Sequence, residues 1–235
     1  GSTNTAVGCN SMALTTTGAN NVAMGNTALY SNTTGSYHVA IGRDALKAVT
    51  TSVGNTAVGY TAGDAVTTGS EGVFLGRNAG GAATTGSSNT FVGYAAGETV
   101  TTGTKNTAVG CDAFRNGTGD YNTCMGREAG DISSFSGSNN LILGYEADPS
   151  SNSVSNEITL GNSSITKFRI PGINFVIKDT TATDNYVLTV DSNGEAGWEA
   201  STGPGTGDFY VRMTNTGNPS NAGSTIACGD KSGDN

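Results

Sequence analysis

The stretch that decides the fold is Asn55-Thr56-Ala57-Val58-Gly59-Tyr60-Thr61-Ala62-Gly63. Its aliphatic-glycine pair recurs along the chain, and the repeat glycines are Gly8, Gly25, Gly42, Gly59, Gly76, Gly93, Gly110, Gly126, Gly144 and Gly161. The first seven are 17 residues apart, and the next three steps are 16, 18 and 17 residues. Because a fixed period of this length indicates a repeat architecture, we expect an all-β solenoid (β-roll or β-helix) of about ten 17-residue turns.

The composition excludes several other classes of protein. The chain has 235 residues, of which 36 are Gly and 13% are charged, and its net charge is −8. The glycines follow no triplet period, which rules out collagen. The basic residues are scattered, so we expect no nucleic-acid partner. No apolar run approaches the ~20 residues of a transmembrane helix, so we expect no membrane insertion.

The residue before each repeat glycine predicts the core of the solenoid. It is apolar in all ten copies, and the residue two positions earlier is mostly β-branched. Alternate residues of a strand share a face, so both columns are expected to face the same core. The core residues assigned on this basis are Val7, Met24, Ile41, Val58, Leu75, Val92, Val109, Met125, Leu143 and Leu160.

The column between these two predicts an interface between chains. Its members are mostly small and apolar, and a strand that is apolar on both faces is buried on both. We therefore expect a homo-oligomer, with a homotrimer as the simplest closed arrangement for a fibre. A wider solenoid packed on its own coil is the alternative. The expected interface residues are Ala6, Ala23, Ala40, Ala57, Phe74, Phe91, Ala108, Cys124 and Ile142.

Three further columns predict how the turns stack. Asn recurs four residues before the repeat glycine, where its amide can bond the backbone and its copies, and His38 occupies one of these positions. A second set of glycines, ten residues after the first, is expected to adopt positive φ. Threonine pairs precede this corner position in six turns, from Thr16/Thr17 to Thr101/Thr102, and the corner residue is glycine in all of them except Ser52. They indicate that one threonine of each pair points into the core while the other bonds its copies in the neighbouring turns, with an ice-binding array as the remote alternative.

The residue after each repeat glycine predicts a surface ladder in which Arg and Tyr alternate. Stacked at ~4.8 Å, guanidinium and phenol groups would make cation–π contacts worth ~0.5–1 kcal/mol each when exposed. A stabilising ladder is the favoured interpretation, and a sugar-binding stripe is the functional alternative. The ladder residues are Arg43, Tyr60, Arg77, Tyr94, Arg127 and Tyr145.

Catalytic and metal-binding motifs are missing from the sequence. His38 is the only histidine, and it occupies an asparagine position of the repeat, so the sequence offers no Ser/His/Asp set. The carboxylates are scattered over different turns. We therefore expect a protein that is not an enzyme, with no catalytic residues, no cofactor and no metal site. The cysteines Cys9, Cys111, Cys124 and Cys228 lack a spaced framework, and we expect free thiols.

The repeat fades after Gly161, and this divides the chain into three parts. Residues 1–165 form the predicted solenoid, and residues 166–200 are expected to be a neck and a small β unit that caps it. Within that unit we expect strands over 173–177 and 186–190, and a turn at 192–194 before Trp198. Residues 201–235 are rich in Gly, Asn and Ser, which indicates a tail or tip.

The repeat residues carry a resemblance to known fibres. The 55–63 stretch resembles bacteriophage tail-fibre repeats, and Val39-Ala40-Ile41-Gly42 is similar to the left-handed β-roll head of trimeric autotransporter adhesins. Residues 185–198 are similar to the region before the self-cleaving chaperone of phage fibres.

The resemblance implies a trimeric, structural segment of a viral tail fibre that attaches a virion to a host cell-surface glycan or protein. Its location would be the virion tail fibre, or the extracellular space or cell surface. The alternative is a self-assembling extracellular or surface adhesin filament, and a glycan-degrading tailspike is more remote.

Overall fold

The computed structural model describes residues 1–169, 186–190 and 196–200. The chain divides into two units, Gly1–Phe168 and Arg169–Asn235. The first unit is an all-β solenoid with one three-residue strand per turn, which confirms the fold expected from the repeat. Its strands are β1 Thr5–Val7, β2 Val22–Met24, β3 Val39–Ile41, β4 Thr56–Val58, β5 Val73–Leu75, β6 Thr90–Val92, β7 Thr107–Val109, β8 Thr123–Met125, β9 Leu141–Leu143 and β10 Ile158–Leu160.

The ten strands form one parallel sheet in sequence order, so that each turn contacts only its neighbours. The register follows the repeat, as in the pairing of Ala40 with Ala57 and of Ile41 with Val58. Ten strands enclose about nine turns, and at ~4.8 Å per turn the sheet is roughly 45 Å long.

The repeat glycines are required where each strand ends. Gly59 has a φ of +143°. A Cβ on Gly59 would also come within 2.6 Å of the carbonyl carbon of Gly76 in the next turn. Only glycine combines this backbone conformation with so close an approach between turns, which explains why the residue is present in every copy.

The structure reverses the expected facing of the strands. The middle residue of each strand from β2 to β9 is fully buried inside the solenoid of a single chain. Apart from Ala6, which is exposed in the first turn, the residues predicted as the interface therefore form the core. The corrected residues are Ala23, Ala40, Ala57, Phe74, Phe91, Ala108, Cys124 and Ile142.

The residues predicted as the core correspondingly point outward. They are exposed at Val7, Met24, Ile41, Val58, Met125 and Leu160 and half-buried at Leu75, Val92, Val109 and Leu143. The column from Thr5 to Ile158, which was expected to face the same core, shares this outer face.

Complementary volumes across the narrow interior explain the reversal. The middle strand residue shares the buried core with the residue four positions after the repeat glycine. In most turns one of these two places holds a large residue and the other a small one: Ala40 is matched by Leu46, whereas Phe74 is matched by Gly80. In the turn between these two pairs both residues are small, Ala57 and Gly63, and the side chains of Leu46 and Phe74 reach Gly63 from the neighbouring turns. A Cβ on Gly80 would overlap the Phe74 ring. A 17-residue turn thus has room for one large side chain at this level, and two aliphatic columns per strand would overfill it.

A further inward column lies three residues after the repeat glycines. It consists of Ala28, Ala45, Ala62, Ala79, Ala96, Ala113, Ala129 and Ala147, all fully buried.

The second set of glycines does not adopt positive φ, so that expectation was wrong. These residues are instead confined by the neighbouring turn. A Cβ on Gly69 would lie 2.5 Å from the carbonyl oxygen of Gly86, and one on Gly103 would lie 2.7 Å from that of Gly119. Close stacking of the turns, rather than the backbone conformation, selects glycine at this corner.

The second unit contains an antiparallel pair of strands, β11 Tyr186–Val190 and β12 Ala196–Ala200. The strand predicted at 186–190 is therefore confirmed, and Trp198 lies in β12 opposite Leu188. The strand predicted at 173–177, the turn at 192–194 and the tail at 201–235 lie outside the described residues. That this unit caps the solenoid stays a prediction.

Candidate interaction surfaces

The asparagine column forms a buried ladder that ties the turns together, as predicted. Each amide donates from Nδ2 to a carbonyl of the opposite corner, and its Oδ1 accepts from the backbone N–H at the same position of the next turn, which is Gly72 for Asn55 and Glu157 for Asn140. For Asn106 these bonds are 2.9 Å to Gly119 and 2.8 Å to Asn122. The ladder residues are Asn4, Asn21, His38, Asn55, Asn89, Asn106, Asn122 and Asn140.

His38 replaces an asparagine in this ladder and reproduces both of its bonds. Its Nδ1 accepts from the Asn55 N–H at 3.1 Å, and its Nε2 lies 2.8 Å from the Ser52 carbonyl oxygen. This arrangement needs a neutral ring protonated at Nε2 only. Burial lowers the pKa of His38 below its usual 6.5, although the two backbone hydrogen bonds oppose this shift.

We expect the solenoid to be less stable at acidic pH because of His38. Its pKa is lower in the folded than in the unfolded chain, so the stability that it contributes is full above pH 6.5 and falls as the pH decreases below that value. Protonation would also set an Nδ1–H against the Asn55 N–H. The His38→Asn variant should lose less stability between pH 7 and pH 5 in urea unfolding. Equal losses in both proteins would contradict this role.

The outer face of the sheet is a continuous apolar stripe. It is formed by the first and third residues of β1 to β10, of which fifteen are apolar, five are threonine and none is charged. Ile41 is 36% exposed and Val58 is 38% exposed in the middle of the stripe. Two columns of side chains along ten strands cover about 450 Å². Apolar patches of this size on a single chain are often interaction sites.

The arginine–tyrosine ladder lies directly beside this stripe, one residue after the repeat glycines. Three arginines stack on the tyrosine of the next turn, with distances from the guanidinium carbon to the ring centre of 5.5 Å for Arg43–Tyr60, 5.5 Å for Arg77–Tyr94 and 5.6 Å for Arg127–Tyr145. The ladder thus consists of Arg-to-Tyr pairs, each spanning two turns. The tyrosines remain about half exposed.

The three arginines differ in their charge environment. Arg43 pairs with Asp44 at 3.1 Å, and Arg127 pairs with Glu128. Arg77 is followed by Asn78 instead of an acid. Among the residues that the structure describes, Arg77 makes no ion pair within 4.0 Å, and its guanidinium is the uncompensated cation of the ladder.

The threonine pairs form the predicted bonds between turns, but neither threonine of a pair is buried, so the expectation that one of them points into the core was wrong. The first hydroxyl of a pair donates to the carbonyl of its copy in the next turn, as from Thr33 to Thr50 at 3.0 Å and from Thr67 to Thr84 at 3.1 Å. The second threonine, such as Thr34 or Thr68, is exposed.

The cysteines of the solenoid are free thiols. Cys9 is exposed, Cys111 is half-buried, and Cys124 is fully buried in the core, where desolvation raises its pKa to about 12. A hydrogen bond to Asp112 raises the pKa of Cys111. Cys228 lies outside the described residues.

No cluster of three or more His, Cys, Asp or Glu side chains suited to a metal ion occurs within the described part of the chain. None of the described segments forms a helix that could span a lipid bilayer.

The fold and these surfaces define a class of protein, the tandem-repeat β-solenoid. In comparisons with known proteins, the chain matches no family model, no curated protein and no solved structure.

Proposed function

We propose that the chain is a structural segment of an extracellular fibre of the viral tail-fibre type, which assembles as a homotrimer and serves attachment to a host surface. The observation that carries the proposal is the apolar stripe, which runs uncharged along the whole sheet. The reversed facing of the strands moves the expected interface from the alanine column to this stripe.

A second copy of the same chain is the partner that fits the stripe best. The exposed side chains recur with every turn, so two copies side by side match along the full ~45 Å of the sheet. An unrelated partner would need the same spacing. Identical subunits usually close into rings around a symmetry axis, and the resemblance to trimeric fibres favours a three-fold axis.

The mass of the purified protein in solution, together with its shape in electron microscopy, tests the proposal. We expect a particle of three chains that appears as a short rod. A monomer or a dimer would contradict the trimer. Open polymers of indefinite length would instead support a self-assembling filament.

Charge placed on the stripe should separate the chains without unfolding them. In Ile41→Lys/Val58→Lys, two adjacent turns present ammonium groups on the outer face, and burying these unpaired charges in an interface costs several kcal/mol. We expect a folded monomer by light scattering with an unchanged β-type circular dichroism spectrum. The matched control is Thr51→Lys/Thr68→Lys, which changes two exposed corner residues off the stripe and should remain trimeric. A trimer that persists in the stripe variant would show that the interface lies elsewhere.

A further inference from the structure

We propose that the central part of the ladder, Tyr60, Arg77 and Tyr94, binds a linear polysaccharide that carries carboxylates. This inference deepens the attachment role proposed above, because it names the chemical class of the ligand and the surface that would hold it.

The spacing of the rings suits an extended sugar chain. Tyr60 and Tyr94 belong to turns that are two apart, which places their backbones ~9.6 Å from each other, close to the length of a disaccharide unit. The rings are 44% and 46% exposed. Aromatic rings offer flat apolar surfaces with a polar hydroxyl at one end, a combination that suits the apolar faces and hydroxyl groups of sugars.

The charge of Arg77 selects an acidic ligand. Its guanidinium stacks on Tyr94, and this contact leaves its N–H donors available in a geometry that matches a carboxylate. The other two arginines of the ladder already pair with acids of their own turns, Asp44 and Glu128.

The neighbouring polar groups do not neutralise Arg77. The Asn78 side chain accepts a hydrogen bond from Thr61 at 2.5 Å and donates one to Glu98 at 3.0 Å. The carboxylate of Glu98 in turn lies 3.7 Å from Arg115. The site is therefore locally cationic on a chain whose net charge is −8.

Binding of a labelled oligogalacturonate to the full chain tests the inference, with the carboxyl-reduced, neutral form of the same oligosaccharide as the second ligand. The informative variant is Asn78→Asp, made in a Glu98→Gln background because two carboxylates at the Asn78–Glu98 contact would repel each other, and Glu98→Gln alone is its reference. The change gives Arg77 the acidic neighbour that Arg43 and Arg127 have. We expect Asn78→Asp and Arg77→Gln to weaken binding of the acidic oligosaccharide by roughly tenfold or more, since each removes the available charge-assisted pair. The control variant Arg127→Gln, outside the proposed site, should bind like the wild type.

Several outcomes would overturn the inference: equal binding of both oligosaccharides, no binding of either, or binding insensitive to Asn78→Asp. The masses of all samples are measured in parallel. A trimer that does not bind would refute the polysaccharide site but not the proposed trimeric fibre. A monomer that binds would refute the trimeric fibre but not the polysaccharide site. A change in mass caused by Asn78→Asp would assign the ladder to the contact between chains and would also overturn the inference.

Discussion

Phe74→Ala should lower the free energy of unfolding by about 3–5 kcal/mol, because it leaves a cavity in a fully buried core. Gly80→Leu should prevent folding, because the new side chain would occupy the volume of the Phe74 ring. In the combined variant the leucine side chain at position 80 fills the cavity that Phe74→Ala leaves. Phe74→Ala/Gly80→Leu recreates the Ala40 and Leu46 pair of an earlier turn, and we expect it to fold and to recover most of the lost stability.

The backbone permits this exchange. Gly80 has a φ of +60°, and the leucines at the equivalent positions, Leu29 and Leu46, have φ values of 53° and 48°. Circular dichroism shows whether Gly80→Leu folds, and urea unfolding of the wild type, Phe74→Ala and the double variant at one protein concentration shows whether the second change restores stability. If the double variant were less stable than Phe74→Ala alone, the two columns would not share one volume.

The second large effect is expected from the asparagine ladder. Asn106→Ala leaves the N–H of Asn122 and the carbonyl of Gly119 buried without their partners. Each unsatisfied group costs about 1–3 kcal/mol, so the variant should lose about 2–6 kcal/mol of its free energy of unfolding.

The chain itself supplies the matched control for this variant. His38 makes both ladder bonds with its two ring nitrogens, and it follows Gly35 as Asn106 follows Gly103. Asn106→His should therefore be more stable than Asn106→Ala at pH 8, where the ring is neutral. The measurement is the urea midpoint, which should be higher for Asn106→His than for Asn106→Ala. An alanine variant as stable as the histidine variant would show that the ladder bonds contribute little to stability.

The repeat made the architecture predictable, whereas the facing of the strands was not. When both faces of a strand are apolar, alternation separates two sets of residues but does not tell which set is inside. The deciding signal was a compensation within turns, in which Ala40 accompanies Leu46 and Phe74 accompanies Gly80. Such compensation is expected only between columns that share a core, and it would have assigned the middle residues to the interior.

The surfaces were predictable to the extent that their bonds are local. Equivalent positions of successive turns lie above one another at a fixed rise, so residues of one column contact each other. Asn106 therefore bonds Asn122, and Arg77 stacks on Tyr94, as the columns predict. The distinct environment of Arg77 was missed. It could have been noticed, because acids follow Arg43 and Arg127 but an asparagine follows Arg77.

Each strand pairs only with those of the preceding and following turns, and this determines how the solenoid can change its length. Because every turn is built on the one before it, whole units of 17 residues can be duplicated or deleted without altering the cross-section. The only departures in the series, a step of 16 and a step of 18, are adjacent and cancel each other. The distance between equivalent surface features is thus a whole number of turns, and this spacing per turn stays the same when the solenoid becomes longer or shorter.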